Sequence, residues 1–244
     1  MSETPEPVRG RRGRMLLEGV VIVLSILLAF SIEAGWEERQ ERRAEAEILQ
    51  ALLAEFETYK ERFTRRAEFY DRTSEAIVWF LDEAEFLPSE IDRLDRAMLA
   101  FVGVPTFEIG SGVHAELVAS GRVSLISDRT LRRIVSTWEG LLAETVDNEV
   151  VVRQYATEVV VPYLASLQAP IGRASRIPKQ TGWQLSVASE AEALTAYRAL
   201  ASEPEFRTLA TWRYDWALGS AGDFRRAAAA ADSALVRVRT SRVD

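Results

Sequence analysis

Cysteine is absent from the 244 residues, which excludes a disulfide framework, a thiolate nucleophile and any thiolate metal site. Histidine occurs once, at His114, so multi-histidine metal centres and the paired Glu-x-x-His motifs of di-iron bundles are excluded as well. Lysine occurs only at Lys60 and Lys179, and the remaining basic charge is arginine, scattered among acids on a chain of net charge −7. No basic stripe offers itself to nucleic acid, which is therefore not an expected partner. Glycine (13) and proline (8) are sparse, and the single GSG at 110–112 lacks the spacing and the lysine of a phosphate-binding loop. Sparse helix breakers with abundant Ala, Leu, Glu and Arg predict an all-α protein. Apolar content of 48% against 27% charged residues is a globular balance. Beyond the first 36 residues the chain has enough length, about 200 residues, for one core of ordinary size.

What is present is one long apolar run, EGVVIVLSILLAFSIEAGW at Glu18–Trp36, preceded by RGRRGR. As a helix, Met15 to Trp36 would extend about 33 Å at ~1.5 Å per residue, against a bilayer core of roughly 30 Å. The uncharged part, Gly19 to Ile32, covers only about 21 Å, a length shared with the apolar region of export signals. Ala29 and Ser31 place small residues where a signal peptidase reads. The helical pattern nevertheless runs on without a polar, proline- or glycine-rich region, so an uncleaved anchor is expected. Glu18 follows Arg14 at helical i,i+4 spacing near one edge, and Glu33 lies by Trp36 at the other, where side chains reach the headgroups. Three readings apply to these acids: tolerated edge residues, a polar contact within the membrane for Glu18, or proton or ion chemistry. The first demands least, because a charge costs about 2.5–3.5 kcal/mol at mid-bilayer and far less at the interface. Arg9, Arg11, Arg12 and Arg14 on the N-terminal flank predict N-in, C-out insertion, a bias moderated by Arg39, Arg42 and Arg43.

After Trp36 an apolar-aromatic stripe, Ile48, Leu52, Phe56, Tyr59, Phe63, Tyr70 and Ile77, predicts one long helix through about Phe86. Its polar opening, Glu37 to Ala46, reads as a solvated stalk, with Gly35 as a hinge. Pro88 should end that helix, and a short one should follow from Ser89 to Val102, with Ile91, Leu94, Met98 and Phe101 buried and Gly103 and Pro105 as its stop. Val113 to Ser120 reads as a helix closed by Gly121 in the left-handed conformation. The next helix should be capped by Ser127 or Asp128, with the stripe Leu131, Ile134, Trp138, Leu141, Thr145, Asn148, Val152, Tyr155 and Val159, and Pro162 should bend or end it. Gln168 to Ser186 reads as a long irregular stretch. Ser189 should cap a helix through Ala201, and a last helix should run from Pro204 to about Arg239, kinked at Gly219 and Gly222.

Two segments carry a family resemblance. The anchor region, EGVVIVLSILLAFSIEAGWEER at 18–39, and the mid-chain LVASGRVSLISDRTLRR at 117–133 resemble a family of uncharacterised bacterial single-pass membrane proteins. The resemblance covers roughly Arg9–Glu47 and Phe107–Trp138. It implies a membrane-anchored topology and no particular activity. Ser31, Glu33 and Ala34 depart from the polar Gln and Asn usual near the end of that family's anchor.

Catalytic constellations are thin. Ser111 and His114 share a helix start, without a nucleophile-elbow context or a third member. Carboxylate pairs such as Asp82/Glu83 and Glu190/Glu192 read as solvated helix faces, and Trp212 and Trp216 as a packed stripe. The expected architecture is therefore an N-terminal transmembrane helix followed by an extramembrane bundle of long antiparallel helices. It divides into a cytoplasmic arginine-rich tail (1–14), an anchor (15–36), a long juxtamembrane helix (37–86) and the rest of a periplasmic domain (87–240). The residues expected to set anchoring and orientation are Arg9, Arg11, Arg12, Arg14, Glu18, Glu33 and Trp36. The expected interaction surface is Phe56, Tyr59, Phe63, Tyr70, Asn148 and Tyr155. No catalytic residue, metal or cofactor is assigned. The expected function is that of a non-enzymatic scaffold or accessory subunit in the bacterial inner membrane. Its partners would be the lipid bilayer and an integral-membrane complex (respiratory, photosynthetic, secretory or transport), or a second copy of itself. An envelope ligand sensor with an interhelical pocket is the main alternative, and a Ser/His hydrolase the remote one.

Overall fold

The computed structural model describes residues 9–82, 86–108, 110, 112–170, 173 and 188–242, with side chains from Val23 onward. Helix α1 runs unbroken over Arg9–Asp82, 74 residues, or about 110 Å at ~1.5 Å per residue. It passes through Gly35 without a hinge, because one glycine costs a helix only about 1 kcal/mol and the good helix formers on either side outweigh it. A 3-10 turn at Pro88–Glu90 leads into α2 (Ile91–Val102), so Pro88 opens the next element rather than closing α1. The buried face of α2 is Ile91, Leu94, Ala97, Met98 and Phe101. It stops at Gly103, where a Cβ would lie 2.7 Å from the Leu99 carbonyl oxygen. Helix α3 (Val113–Ala119) ends at Gly121, whose φ of 73° is the left-handed value the sequence requires.

Helix α4 (Arg129–Tyr155) is capped by the Asp128 carboxylate, which accepts from the amides of Thr130 and Leu131. It does not stop at Pro162. A π-helical turn, Ala156–Val160, widens the helix and leads into α5 (Val161–Ser166), which absorbs the proline's missing donor and its ring clash. Ser189 and Glu192 form a capping box on α6 (Glu190–Ser202). Helix α7 (Pro204–Ser241) is continuous through Gly219 and Gly222, where a kink is expected. A Cβ at Gly219 would meet nothing within 4 Å, and one at Gly222 only the far end of Arg226.

Three helices build the bundle. Helix α7 runs antiparallel to α1, as the pairs Lys60–Asp232, Asp71–Arg225 and Glu57–Arg239 show. Helix α4 runs parallel to α1, tied by Ser127 donating to Glu45 at one end and Tyr70 donating to Glu149 further along. The face of α7 toward α1 is alanine-rich, with Ala217, Ala221, Ala227, Ala231 and Ala234 all buried.

Two apolar cores result. The first joins Ile48–Tyr70 of α1 to Leu131–Leu142 of α4 and the second half of α7, with Phe107, Leu117 and Ile126 closing it. Trp138 sits at its centre, edge-on to Phe56 with ring centroids 4.8 Å apart. The second joins Ile77 and Phe80 to α2, α6, Val160, Leu164, Phe206 and Ala210. Burying each such large side chain is worth about 1.5–3 kcal/mol.

Candidate functional site

Between the two cores the interior is polar. Along α1 the first core ends at Tyr70 and the second resumes at Ile77, and the interval holds buried Thr73 and Ser74. Helices α4 and α7 contribute Thr145, Glu149, Arg213 and Ser220 at the same level, all buried. Glu149 organises this layer. Its Oε1 accepts from the Tyr70 hydroxyl at 2.8 Å and lies 3.4 Å from Arg66 Nε, and its Oε2 accepts from the Phe107 amide at 3.1 Å. Burial holds the Glu149 carboxyl above the usual carboxylate range, opposed by Arg66 and by the bonds from Tyr70 and Phe107. The same burial, with the Glu149 charge, pushes the Tyr70 phenol far above its ordinary value.

Arg213 is fully buried and donates through Nη2 to the Gly103 carbonyl at 3.0 Å. Its Nε and Nη1 have no hydrogen-bond partner among the described residues. Burial lowers its pKa, an effect countered by Tyr70 and Tyr155. This guanidinium holds the turn after α2 to α7, and Glu149 holds the segment at Phe107 to α1 and α4. The layer thus clamps the 103–107 connector and sets the level at which the three long helices meet. Its functional groups face one another rather than a cleft: of the buried polar residues in the layer, only Thr73 lines a described cavity. The arrangement holds and aligns the three helices.

Sequence reasoning placed the inward face of α4 one residue off. Leu131, Trp138, Thr145 and Val152 are buried as expected, but the alternate positions are Val135, Leu142, Glu149, Ala156 and Val160. Asn148, placed in the stripe by its spacing, stands on the half-exposed flank and makes a polar contact with α7 by donating to Asp223. Tyr155, also half-exposed, donates to the Leu209 carbonyl at 3.0 Å. On α7, Arg213 faces in while Trp212 is 56% exposed, the reverse of the expected packed Trp212/Trp216 stripe. The inward positions 206, 210, 213, 217, 220 and 224 keep an unbroken helical phase, and Trp212 is out of step with it.

The expected interaction surface also needs correction. Phe56, Phe63 and Tyr70 are fully buried and Tyr59 nearly so, because α4 and α7 of the same chain cover that stripe. His114 is likewise buried, with its Nδ1 2.9 Å from Glu55 Oε1 and its amide donating to Glu55 Oε2. Glu55 thus fixes the imidazole through Nδ1. Ser111 lies outside the described residues.

No family model matches the chain, and no curated protein and no solved structure is similar to it.

The other unusual feature is the free end of α1. From Val23 to Ala34 every side chain is exposed. Leu24, Leu28, Phe30 and Ile32 are 59–66% exposed and Trp36 67%, so apolar side chains stand exposed around this part of the helix. Among the described side chains the first buried residue of α1 is Ile48. Glu33 is exposed among these residues, whereas the side chains of Arg9, Arg11, Arg12, Arg14 and Glu18 lie outside those described. Among the described residues no helix is long and apolar enough to cross a membrane. The span expected at 15–36 therefore finds no support there, and its side chains are described only from Val23.

Proposed function

We propose that the chain is a non-enzymatic, single-pass membrane-anchored scaffold or accessory subunit, inserted N-in through residues 15–36, whose helical bundle braces a larger integral-membrane complex from the periplasmic side. The observation that carries this reading is the free end of α1. A helix apolar on every face needs lipid or other protein around it, and here the same helix continues without a break into the bundle. The flanking arginines set the orientation, and the buried polar layer gives the bundle one rigid alignment relative to that helix. A rigid rod ending in a clamped bundle suits bracing. The ligand-sensing and hydrolase readings draw less from the buried layer, whose charged groups Glu149 and Arg213 bind within the fold and line no described cavity.

The test is extraction and purification of the tagged, full-length chain from its native membrane in a mild non-ionic detergent, followed by sizing and mass spectrometry. Resistance to alkaline carbonate extraction, with co-elution alongside an integral-membrane complex, is the expected result. Exchange of residues 15–36 for an unrelated anchor should then weaken the co-elution. A chain that washes off the membrane, or elutes alone as a monomer or homodimer, refutes the accessory reading.

A further inference from the structure

A groove runs along the outside of the second core, between α1, α2 and the turn after α2, with a volume of about 910 Å³. Phe69 and Trp79 of α1, Ala97, Leu99 and Ala100 of α2, and Pro105 supply its apolar surface. Among the described residues its rim carries Arg72, Arg93 and Arg96 against one acid, Glu75. The groove continues past Phe69 and Pro105 into a second depression of about 280 Å³, whose only charged lining residues among those described are Arg62, Arg65 and Arg66. On a chain with 37 acidic and 30 basic residues this is a local reversal of sign.

The arginines differ in how far they are already engaged. Arg62 and Arg66 donate to the Glu108 and Thr106 carbonyls, and Arg62 lies 4.5 Å over the Phe107 ring. Arg65 and Arg72 make only solvent-exposed pairs with Glu61 and Glu68, a kind of contact easily exchanged. Arg93 stacks on Trp79, 3.8 Å from its centroid, which fixes a guanidinium beside an aromatic surface. Arg96 is exposed and has no ion pair among the described residues.

We propose that this groove binds an acidic, amphipathic peptide segment of a partner protein, with its carboxylates on Arg72, Arg93 and Arg96 and its apolar side chains on Trp79 and Leu99. Three considerations select that occupant. Charge complementarity requires an anion, and guanidiniums take carboxylates in bidentate geometry. From Arg62 to Trp79 the groove follows α1 for about 25 Å at ~1.5 Å per residue, open along its length. That shape suits a linear segment better than a small molecule needing enclosure on most sides. Phe69 also stands about 50 Å along unbroken helix from Trp36, so the lipid of the bilayer that holds the apolar run does not reach the groove. The inference deepens the accessory-subunit reading by giving the partner's contact a chemistry, and it rests on that reading for the partner's presence.

The test uses the full-length chain in neutral-lipid nanodiscs and fluorescence anisotropy of a fluorescein-labelled amphipathic peptide of alternating Glu- and Leu-rich turns. The same peptide with Lys for Glu is the control. The acidic peptide should bind and the basic one should not. Arg96→Glu should weaken binding, and Arg93→Glu/Arg96→Glu should raise Kd by about tenfold or more, with thermal unfolding of Arg96→Glu matching the parent as the folding control. Equal binding of both peptides, no binding of the acidic one, or indifference to Arg96→Glu overturns the proposal. Co-elution with a membrane complex is scored separately: a chain that co-elutes but fails the peptide test keeps the accessory role and loses the groove. One that binds the peptide but elutes alone does the opposite.

Discussion

Replacing Glu149 by leucine removes the one carboxylate that the buried layer is built around. The substitution leaves the Tyr70 hydroxyl, the Phe107 amide and the Arg66 guanidinium without their acceptor, in an interior where Glu149 itself is 1% exposed. Each orphaned buried group costs about 1–3 kcal/mol, and one-sided removal of a buried charge partner costs about 3–5 kcal/mol. The two routes agree on a loss of about 3–5 kcal/mol, or roughly 10 °C in Tm for a chain of this size. Tyr70→Phe should cost about 1.5–3 kcal/mol, the worth of a hydrogen bond to a charged group. The double variant should be less destabilised than the sum, because the phenylalanine ring has no hydroxyl left to orphan, with a coupling of about 1–2 kcal/mol. The assay is urea unfolding of the detergent-solubilised chain followed by tryptophan fluorescence, since Trp138 reports the adjoining core. The pH dependence is an independent check. Burial raises the folded-state pKa of Glu149 above its ordinary 4.5, so the folded state binds the extra proton and stability falls as pH rises from there through the folded value. Glu149→Gln cannot titrate, so the parent should lose stability relative to it over that interval. A neutral or stabilising Glu149→Leu, strict additivity with Tyr70→Phe, or a parent that gains on Glu149→Gln with rising pH would refute the reasoning.

Two further contrasts test the packing. Trp138→Ala should cost about 3–5 kcal/mol, whereas Trp212→Gln should stay within about 0.5 kcal/mol, as measured by the same urea titrations; comparable losses would mean that Trp212 is not free. Among glycines, Gly219→Ala should stabilise by about 0.5–1 kcal/mol, since its Cβ enters open space in a helix interior. Gly103→Ala should destabilise, because its Cβ would press on the Leu99 carbonyl. Thermal melts that rank the two in the opposite order would show that the α2 turn is placed wrongly.

Much of the secondary structure was legible because its signals are local. Asp128, Ser189, Pro204 and Gly121 each satisfy or shape a helix end through their own side chain or backbone freedom, and neighbouring residues suffice to read them. Where α1 passes Gly35 and the helical path of α4 runs on past Pro162, the deciding compensation is less local. Good helix formers on either side outweigh a single glycine, and a π-turn accommodates Pro162.

The sequence by itself determined that the chain is all-α, that its first helix carries an apolar run flanked by arginines, and that cysteine and multi-histidine chemistry has no place in it. Periodicity and composition are enough for those conclusions. Only the tertiary structure decided that Glu149 and Arg213 are inside while Asn148 and Trp212 are not, that the aromatic stripe from Phe56 to Tyr70 is core rather than surface, and that arginines from α1 and α2 share one groove. The physical reason is that burying a charge is unfavourable until partners distant in the chain satisfy it. Reading in order along the sequence assigns such a residue to solvent, and only the meeting of α1, α4 and the 103–107 connector supplies the partners that hold it inside.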